Sequence, residues 1–163
     1  LRLASGTLTK TEEFMEMAQL ALQAGLPAEG RRIVEQGYKA GALGTGAEAA
    51  RHQRLKDLAL KQEAEQKGAI AGQASQAEAE KSGDELVKVG QAYVTLGEVD
   101  KGIALIEKGI AKGGLKRPED ARLRLGMAQL QSAAAKGKAA ATLRGVKGTD
   151  GVADIARLWL IVN

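Results

Sequence analysis

A recurring pattern of glycine and apolar residues constrains this chain more than any other feature. Residues 17–38 read MAQLALQAGLPAEGRRIVEQGY and residues 89–110 read VGQAYVTLGEVDKGIALIEKGI, so the glycines coincide at an offset of 72, twice 36. A third copy begins at Gly126, which is 36 residues after Gly90. A fixed period between about 20 and 50 residues is typical of chains built from stacked structural repeats.

Each copy has the pattern of two amphipathic helices joined by a short turn. Gly25, Gly97 and Gly137 fall near the expected turns, where glycine adopts a left-handed backbone at little steric cost. Pro27 and Pro118 stand where proline suits the first turn of a helix. The copies therefore predict antiparallel helical hairpins.

Capping signals support this division. Three S/T-x-x-E sequences, which begin at Thr9, Thr45 and Ser82, match the capping box and would open the first helix of three hairpins. The composition agrees, because alanine and glycine are abundant while only 2% of the residues are aromatic, a balance that favours closely packed helices over sheets.

One stretch of the chain, residues 83–115, resembles the tetratricopeptide repeat family, in its bacterial form, better than the rest does. The resemblance is carried by the residues of large, small, aromatic, turn and apolar type: Leu86, Val89, Gly90, Tyr93, Gly97 and Ile106. It implies an all-α solenoid of antiparallel hairpins, with about three to four repeats and a C-terminal helix. Gly90 would let the second helix approach, Tyr93 would fill the gap between hairpins, and Ile106 would close the layer.

We expect one domain over residues 1–163. Its predicted parts are repeats at about 9–40, 82–115 and 118–148, a degenerate repeat at 45–81, and a terminal helix at 149–163 in which Trp159 packs. The degenerate repeat is the ambiguous part, because Lys61 stands where the other copies have a turn glycine. It is either a hairpin, which we prefer, or one long helix of about 34 residues.

The residue pattern does not predict an enzyme. His52 is the only histidine and cysteine is absent, so we expect no catalytic residue, metal site or cofactor, and we interpret His52 as a surface residue. Carboxylates such as Glu12 and Glu119 stand in first turns, where they favour the positive end of the helix dipole.

The resemblance implies a scaffold that binds a protein or peptide in a groove lined by the first helices. The predicted contact residues are apolar or amide side chains with one hydroxyl, that of Thr95: Met15, Gln19, Gln23, Gln91, Val94, Thr95, Leu123, Met127 and Gln131. Leu22 and Leu130 lie on the same face, and for each the core is an equally good interpretation. Flexible methionines and amide groups suit an extended peptide or a helix.

Two other functions stay open. A self-associating assembly module is suggested by the apolar stretch from Leu158 to Val162, which also leads us to expect a fragment of a longer chain. A helical-repeat RNA-binding protein is suggested by the pI of about 9.4, but both signs of charge are interleaved and stacking aromatics are scarce, so nucleic acid is not the favoured partner. No apolar run is long enough for a membrane span, and bacterial periplasm and cytoplasm are both compatible with the composition.

Overall fold

The computed structural model describes residues 6–162, and within that range the chain forms helices and no strand. The helices are α1 (Thr11–Gln23), α2 (Pro27–Lys39), α3 (Ala49–Ala79), α4 (Asp84–Thr95), α5 (Val99–Lys112), α6 (Pro118–Gln131), α7 (Lys136–Arg144) and α8 (Val152–Val162). The predicted all-α class is confirmed.

The chain divides into two compact units, Leu1–Ala69 and Ile70–Asn163, and the division falls within α3. The first unit contains the α1–α2 hairpin, whose core includes Phe14, Ala18, Ile33 and Val34 together with Leu55 from the first half of α3. The prediction of one domain over residues 1–163 stays a prediction.

The predicted hairpin at residues 45–81 is wrong, and the long-helix alternative is correct. Residues Ala49–Ala79 form one continuous helix of 31 residues, which extends about 46 Å at 1.5 Å per residue. Lys61 lies inside it with an exposed side chain. Because alanine, glutamine, glutamate and lysine are strong helix formers and no glycine occupies the turn position, the backbone has no local reason to reverse.

One side of the first half of α3 is buried. His52, Leu55, Ala59 and Glu63 follow one another at steps of three and four residues, and all four are buried. In the second half of α3, Ile70 and Ala77 belong to a cluster of the second unit that also contains Tyr93. The helical period therefore continues through the position where a turn was expected.

The predicted turn residues are correct in two of three cases. Gly25 and Gly97 have φ values of +73° and +93° and end α1 and α4. Gly137 was wrongly placed, because it lies inside α7. The chain changes direction earlier, at Ser132, whose hydroxyl accepts a hydrogen bond from the Ala135 N–H at 3.1 Å. Pro27 and Pro118 begin α2 and α6 as predicted.

The predicted capping boxes do not have the expected register. The structure begins α1 at Thr11, and Glu13 Oε2 accepts hydrogen bonds from the N–H groups of Thr9 and Lys10 at 3.4 and 3.3 Å. The hydroxyl of Ser82 accepts the Asp84 N–H at 3.3 Å, while Glu85 pairs with Lys88. Helix α3 begins at Ala49, four residues after Thr45. Side chains near the starts of α1 and α4 still accept hydrogen bonds from backbone N–H groups, but the residue pairs differ from the predicted Ser/Thr and Glu pairs.

Glycines set the close approach of α4 and α5. A Cβ at Gly90 would lie 2.8 Å from the Gly102 carbonyl oxygen and 2.7 Å from Ile106 Cγ1, which is closer than real Cβ atoms come. Tyr93 and Ile106 are almost fully buried. At the next hairpin, a Cβ at Gly126 would lie 2.5 Å from Leu143 Cδ2. The close helix approach predicted at Gly90 is confirmed, and Tyr93 and Ile106 are core residues.

Helix α8 packs against α6 and α7. Val152 and Ala156 belong to a cluster with Leu123, Leu143 and Val146, and Trp159 packs on that cluster as expected. The described helix ends at Val162, so Asn163 of the predicted terminal helix lies outside the described residues.

Candidate functional site

The second unit brings the first helices of successive hairpins together. Helix α4 packs against α5 and α6, and α6 packs against α7 and α8. Helices α4 and α6 are therefore neighbours, as are α6 and α8, while α5 and α7 are the returning helices. This arrangement presents side chains from different hairpins on neighbouring helices.

Four of the nine predicted contact residues are core residues. Met15, Val94, Thr95 and Leu123 are each no more than 7% exposed. Val94 is buried because α5 approaches closely, since a Cβ at Gly102 would lie 2.5 Å from Val94 Cγ2. Thr95 donates its hydroxyl to the Ala92 carbonyl at 2.8 Å. These positions support the helices and do not reach a surface where a partner could touch them.

The other five keep some exposure, but they fall in both units. Gln19 and Gln23 are exposed on α1, in the first unit. Gln91 on α4 and Met127 on α6 are half-buried, and Gln131 on α6 is exposed. We call Gln91, Met127 and Gln131, with the half-buried Leu130, the first-helix face.

Gln91 is the most unusual member of the first-helix face. Its Oε1 atom is buried and has no hydrogen-bond partner among residues 6–162. Helical spacing places Gln91 on the same side of α4 as Val87 and Val94, which pack with Ala121 and Ala128 of α6. A buried acceptor without a partner costs about 1–3 kcal/mol, so an N–H donor that reached this oxygen after rotation of the half-buried Gln91 side chain would be favourable.

The α6 part of the face combines an apolar and an amide group one helical turn apart. Gln131 Nε2 donates to the Met127 carbonyl oxygen at 3.3 Å, and its side chain is otherwise exposed. Met127 and Leu130 rest on the cluster that contains Leu123 and Leu143. The Met127 side chain therefore packs on this cluster and remains partly exposed.

A second polar cluster lies in the first unit, and the sequence analysis missed it. Arg31 of α2 binds Glu63 of α3 and also Glu35, at 2.6 Å, while Lys67 reaches Glu63 at 2.7 Å. These side chains line an open cleft of about 380 Å³ with Leu60 and Ala64. The sequence did contain a signal for this cluster, because Glu63 follows Leu55 and Ala59 at steps of four residues and so lies on the same side of a helix.

The charges of this cluster are mutually satisfied. Burial by itself would raise the pKa of Glu63, but hydrogen bonds from Lys67 and Arg31 outweigh it and lower the pKa. Hydrogen bonds to Glu63 and Glu35 raise the pKa of Arg31. Glu63 is therefore a carboxylate at neutral pH, with strong donors on both oxygens, and it joins α2 to α3 rather than serving as a proton donor.

His52 was predicted at the surface, and that prediction is wrong. It is 3% exposed, and its Nδ1 accepts a hydrogen bond from the Gly44 N–H at 3.1 Å. The reason is the continuous α3, which places position 52 on the same buried side as Leu55. Among residues 6–162 no group of three or more His, Cys, Asp and Glu side chains is arranged to hold a metal ion.

Within the same residues no helix has both the length and the apolar character needed to cross a membrane. Comparisons of the chain with protein-family models, curated proteins and solved structures returned no match.

Proposed function

We propose that this chain is a protein-binding helical-repeat scaffold of the tetratricopeptide type, and that the first-helix face holds a peptide segment of another protein without catalysing a reaction. The observation that carries the proposal is the buried Oε1 of Gln91, which has no hydrogen-bond partner within residues 6–162, on a helix that packs against the first helix of the next hairpin. The 36-residue period and the glycine contacts between α4 and α5 support the repeat type.

The chemistry of the face suits a peptide backbone. An N–H group of the bound segment would donate to Gln91 Oε1, and the exposed amide of Gln131 offers a donor and an acceptor. Met127 and Leu130 supply apolar contact, and methionine adapts its shape to different side chains. None of the four residues is charged, so the face favours a neutral or apolar stretch of peptide.

A peptide library displayed on phage would test the proposal. Selected 12-residue peptides would be titrated against the natural chain, against a Gln91→Ala, Met127→Ala, Gln131→Ala variant, and against a control with Gln73→Ala and Gln76→Ala. The control pair is exposed on α3 in the same unit, so it removes two amides without touching the face.

We expect at least tenfold weaker binding for the triple variant, equivalent to a loss of about 1.4 kcal/mol, and less than twofold change for the control. Circular dichroism would verify that both variants keep their helices. Equal affinity of a folded triple variant and the natural chain would refute the assignment of the face, and failure to select any peptide would refute peptide binding.

A further inference from the structure

Basic side chains cluster on and just after α7, in a stretch that lacks the acidic residues found among the basic ones elsewhere in the chain. Residues 121–149 contain six basic residues and no acidic residue. Arg122 and Arg124 pair with acidic residues at the start of α6. The other four cations are exposed, and within residues 6–162 none of them forms an ion pair: Lys136, Lys138, Arg144 and Lys147.

The neighbouring helix α8 adds an apolar surface. Helices α7 and α8 pack against each other. The outer side chains of α8 are large and unusually exposed: Ile155 at 40%, Leu158 at 48%, Ile161 at 78% and Val162 at 50%. We call these four side chains, with the four cations of the preceding paragraph, the tail surface. An exposed apolar stripe on a helix that packs against the cation-bearing α7 suits an acidic amphipathic partner.

The outer side of α1 has the complementary character. Glu12 and Glu16 are exposed on successive turns, and neither forms an ion pair with a residue of the described range. Leu20 follows one turn later and is 57% exposed. We call Glu12, Glu16 and Leu20 the head surface.

The internal repeat indicates what should cover Leu20. At offsets of 72 and 108, its equivalents are Ala92 and Ala128, which are 5% and 1% exposed. Ala92 packs with Ile70 and Ala77 of α3, and Ala128 packs with residues of α4 and α5. In both later copies this position is thus buried against the preceding helices.

The tail surface shows the same relation from the other end. DIARLWL at 154–160 aligns with DARLRLG at 120–126, and one inserted residue brings Leu158 level with Leu123. Leu123 is buried by contacts with α7 and α8, whereas Leu158 is exposed. At Leu123 this repeat position is covered by the helices that follow it in the chain, whereas at Leu158 it is not covered.

We propose that a second copy of this chain is the partner of the tail surface, with the head surface of one copy docked on the tail surface of the next. The contact would continue the packing seen between successive hairpins, with Leu20 against the α8 stripe and Glu12 and Glu16 against the α7 cations. Because the two surfaces differ, the contact is heterologous and leaves one head and one tail free in every assembly that does not close into a ring.

Charge-reversal variants test this arrangement by sedimentation velocity at low salt. The natural chain should increase in mass with concentration beyond a dimer, and added salt should reduce this association. A head variant (Glu12→Lys, Glu16→Lys) and a tail variant (Lys138→Glu, Arg144→Glu) should each be monomeric. The matched control Arg54→Glu reverses an exposed charge on α3 and should associate like the natural chain.

Mixing supplies the decisive measurement. The head variant keeps a natural tail and the tail variant keeps a natural head, so an equimolar mixture should form a 1:1 dimer that grows no further, with a dissociation constant at least tenfold below that of either variant alone. A chain carrying all four reversals should associate again.

Three results would overturn the proposal: a natural chain that stays monomeric, a dimer unaffected by the head reversals, or a mixture with no 1:1 complex. A monomeric chain whose tail surface instead binds single-stranded RNA, with loss in the tail variant, would assign the cations to nucleic acid and equally refute self-association. Peptide binding at Gln91 is measured separately, so either idea can fail without the other.

Discussion

Replacing Lys61 by glycine distinguishes a continuous α3 from a hairpin by the sign of the stability change. Lys61 occupies the position that Gly25 and Gly97 take in the other copies, where φ is positive. In the structure, Lys61 instead lies inside α3, and its side chain is 73% exposed. Because the backbone at position 61 is helical, glycine there would not relieve any left-handed turn strain, and its low helix propensity would destabilise α3.

The magnitude follows from two contributions. Glycine in a helix interior costs about 0.8–1 kcal/mol relative to alanine. The Lys61–Glu65 ion pair, at 4.0 Å and well exposed, contributes at most about 0.5 kcal/mol. We expect Lys61→Gly to destabilise the chain by about 1–1.5 kcal/mol, and Lys61→Ala, which isolates the ion pair, by no more than about 0.5 kcal/mol.

Urea denaturation followed by far-ultraviolet circular dichroism would measure both variants, and the difference between them reports the backbone alone. If Lys61 were a left-handed turn residue, glycine would relieve strain and raise the midpoint above that of the alanine variant. A glycine variant as stable as the alanine variant, or more stable, would refute the continuous helix. Gly97→Ala is the matched control for a real turn, and it should destabilise because its φ is +93°.

Three further predictions concern buried side chains. Tyr93→Ala should cost about 3 kcal/mol in urea denaturation, and His52→Ala about 1–3 kcal/mol, because the Gly44 N–H loses its acceptor; a His52→Ala midpoint equal to that of the natural chain would contradict the burial. The pKa of Glu63 is lower in the folded chain than in the unfolded chain, so the unfolded chain binds a proton at this carboxylate first as pH falls. The contribution of Glu63 to folding stability is therefore complete above the ordinary pKa of 4.5 and is lost as pH drops through the pKa of the folded chain. Glu63→Gln should therefore reduce stability at pH 7 by about 1.5–3 kcal/mol and flatten the stability curve below pH 4.5, and a Glu63→Gln variant as stable as the natural chain at pH 7 would contradict this role.

Local sequence predicted the helices and their tightest contacts well. Gly25 and Gly97 mark true turns, Pro27 and Pro118 begin helices, and the Gly90 position does bring α4 and α5 together. These features depend on the backbone preferences of single residues and on a period that repeats along the chain. These features can therefore be predicted from the sequence without knowing which residues each helix contacts.

The candidate site was less predictable. The register with the repeat family placed the candidate residues on α1, α4 and α6, but it could not separate the half-buried Gln91 and Met127 from the buried Val94 and Leu123. Helical period alone assigns a residue to one side of a helix. How much of that side stays open depends on the neighbouring helices, and here α5 comes close because Gly102 has no side chain.

The sequence by itself determined that this chain is helical, where α2 and α6 begin, and which glycines allow close approach, because those properties arise from the backbone energetics of neighbouring residues. Only the tertiary structure decided that His52 and Glu63 are buried and that, within residues 6–162, one oxygen of Gln91 has no hydrogen-bond partner and four cations on and after α7 form no ion pair. Burial and charge pairing depend on atoms brought together from distant parts of the chain, and the helical period does not encode those distances.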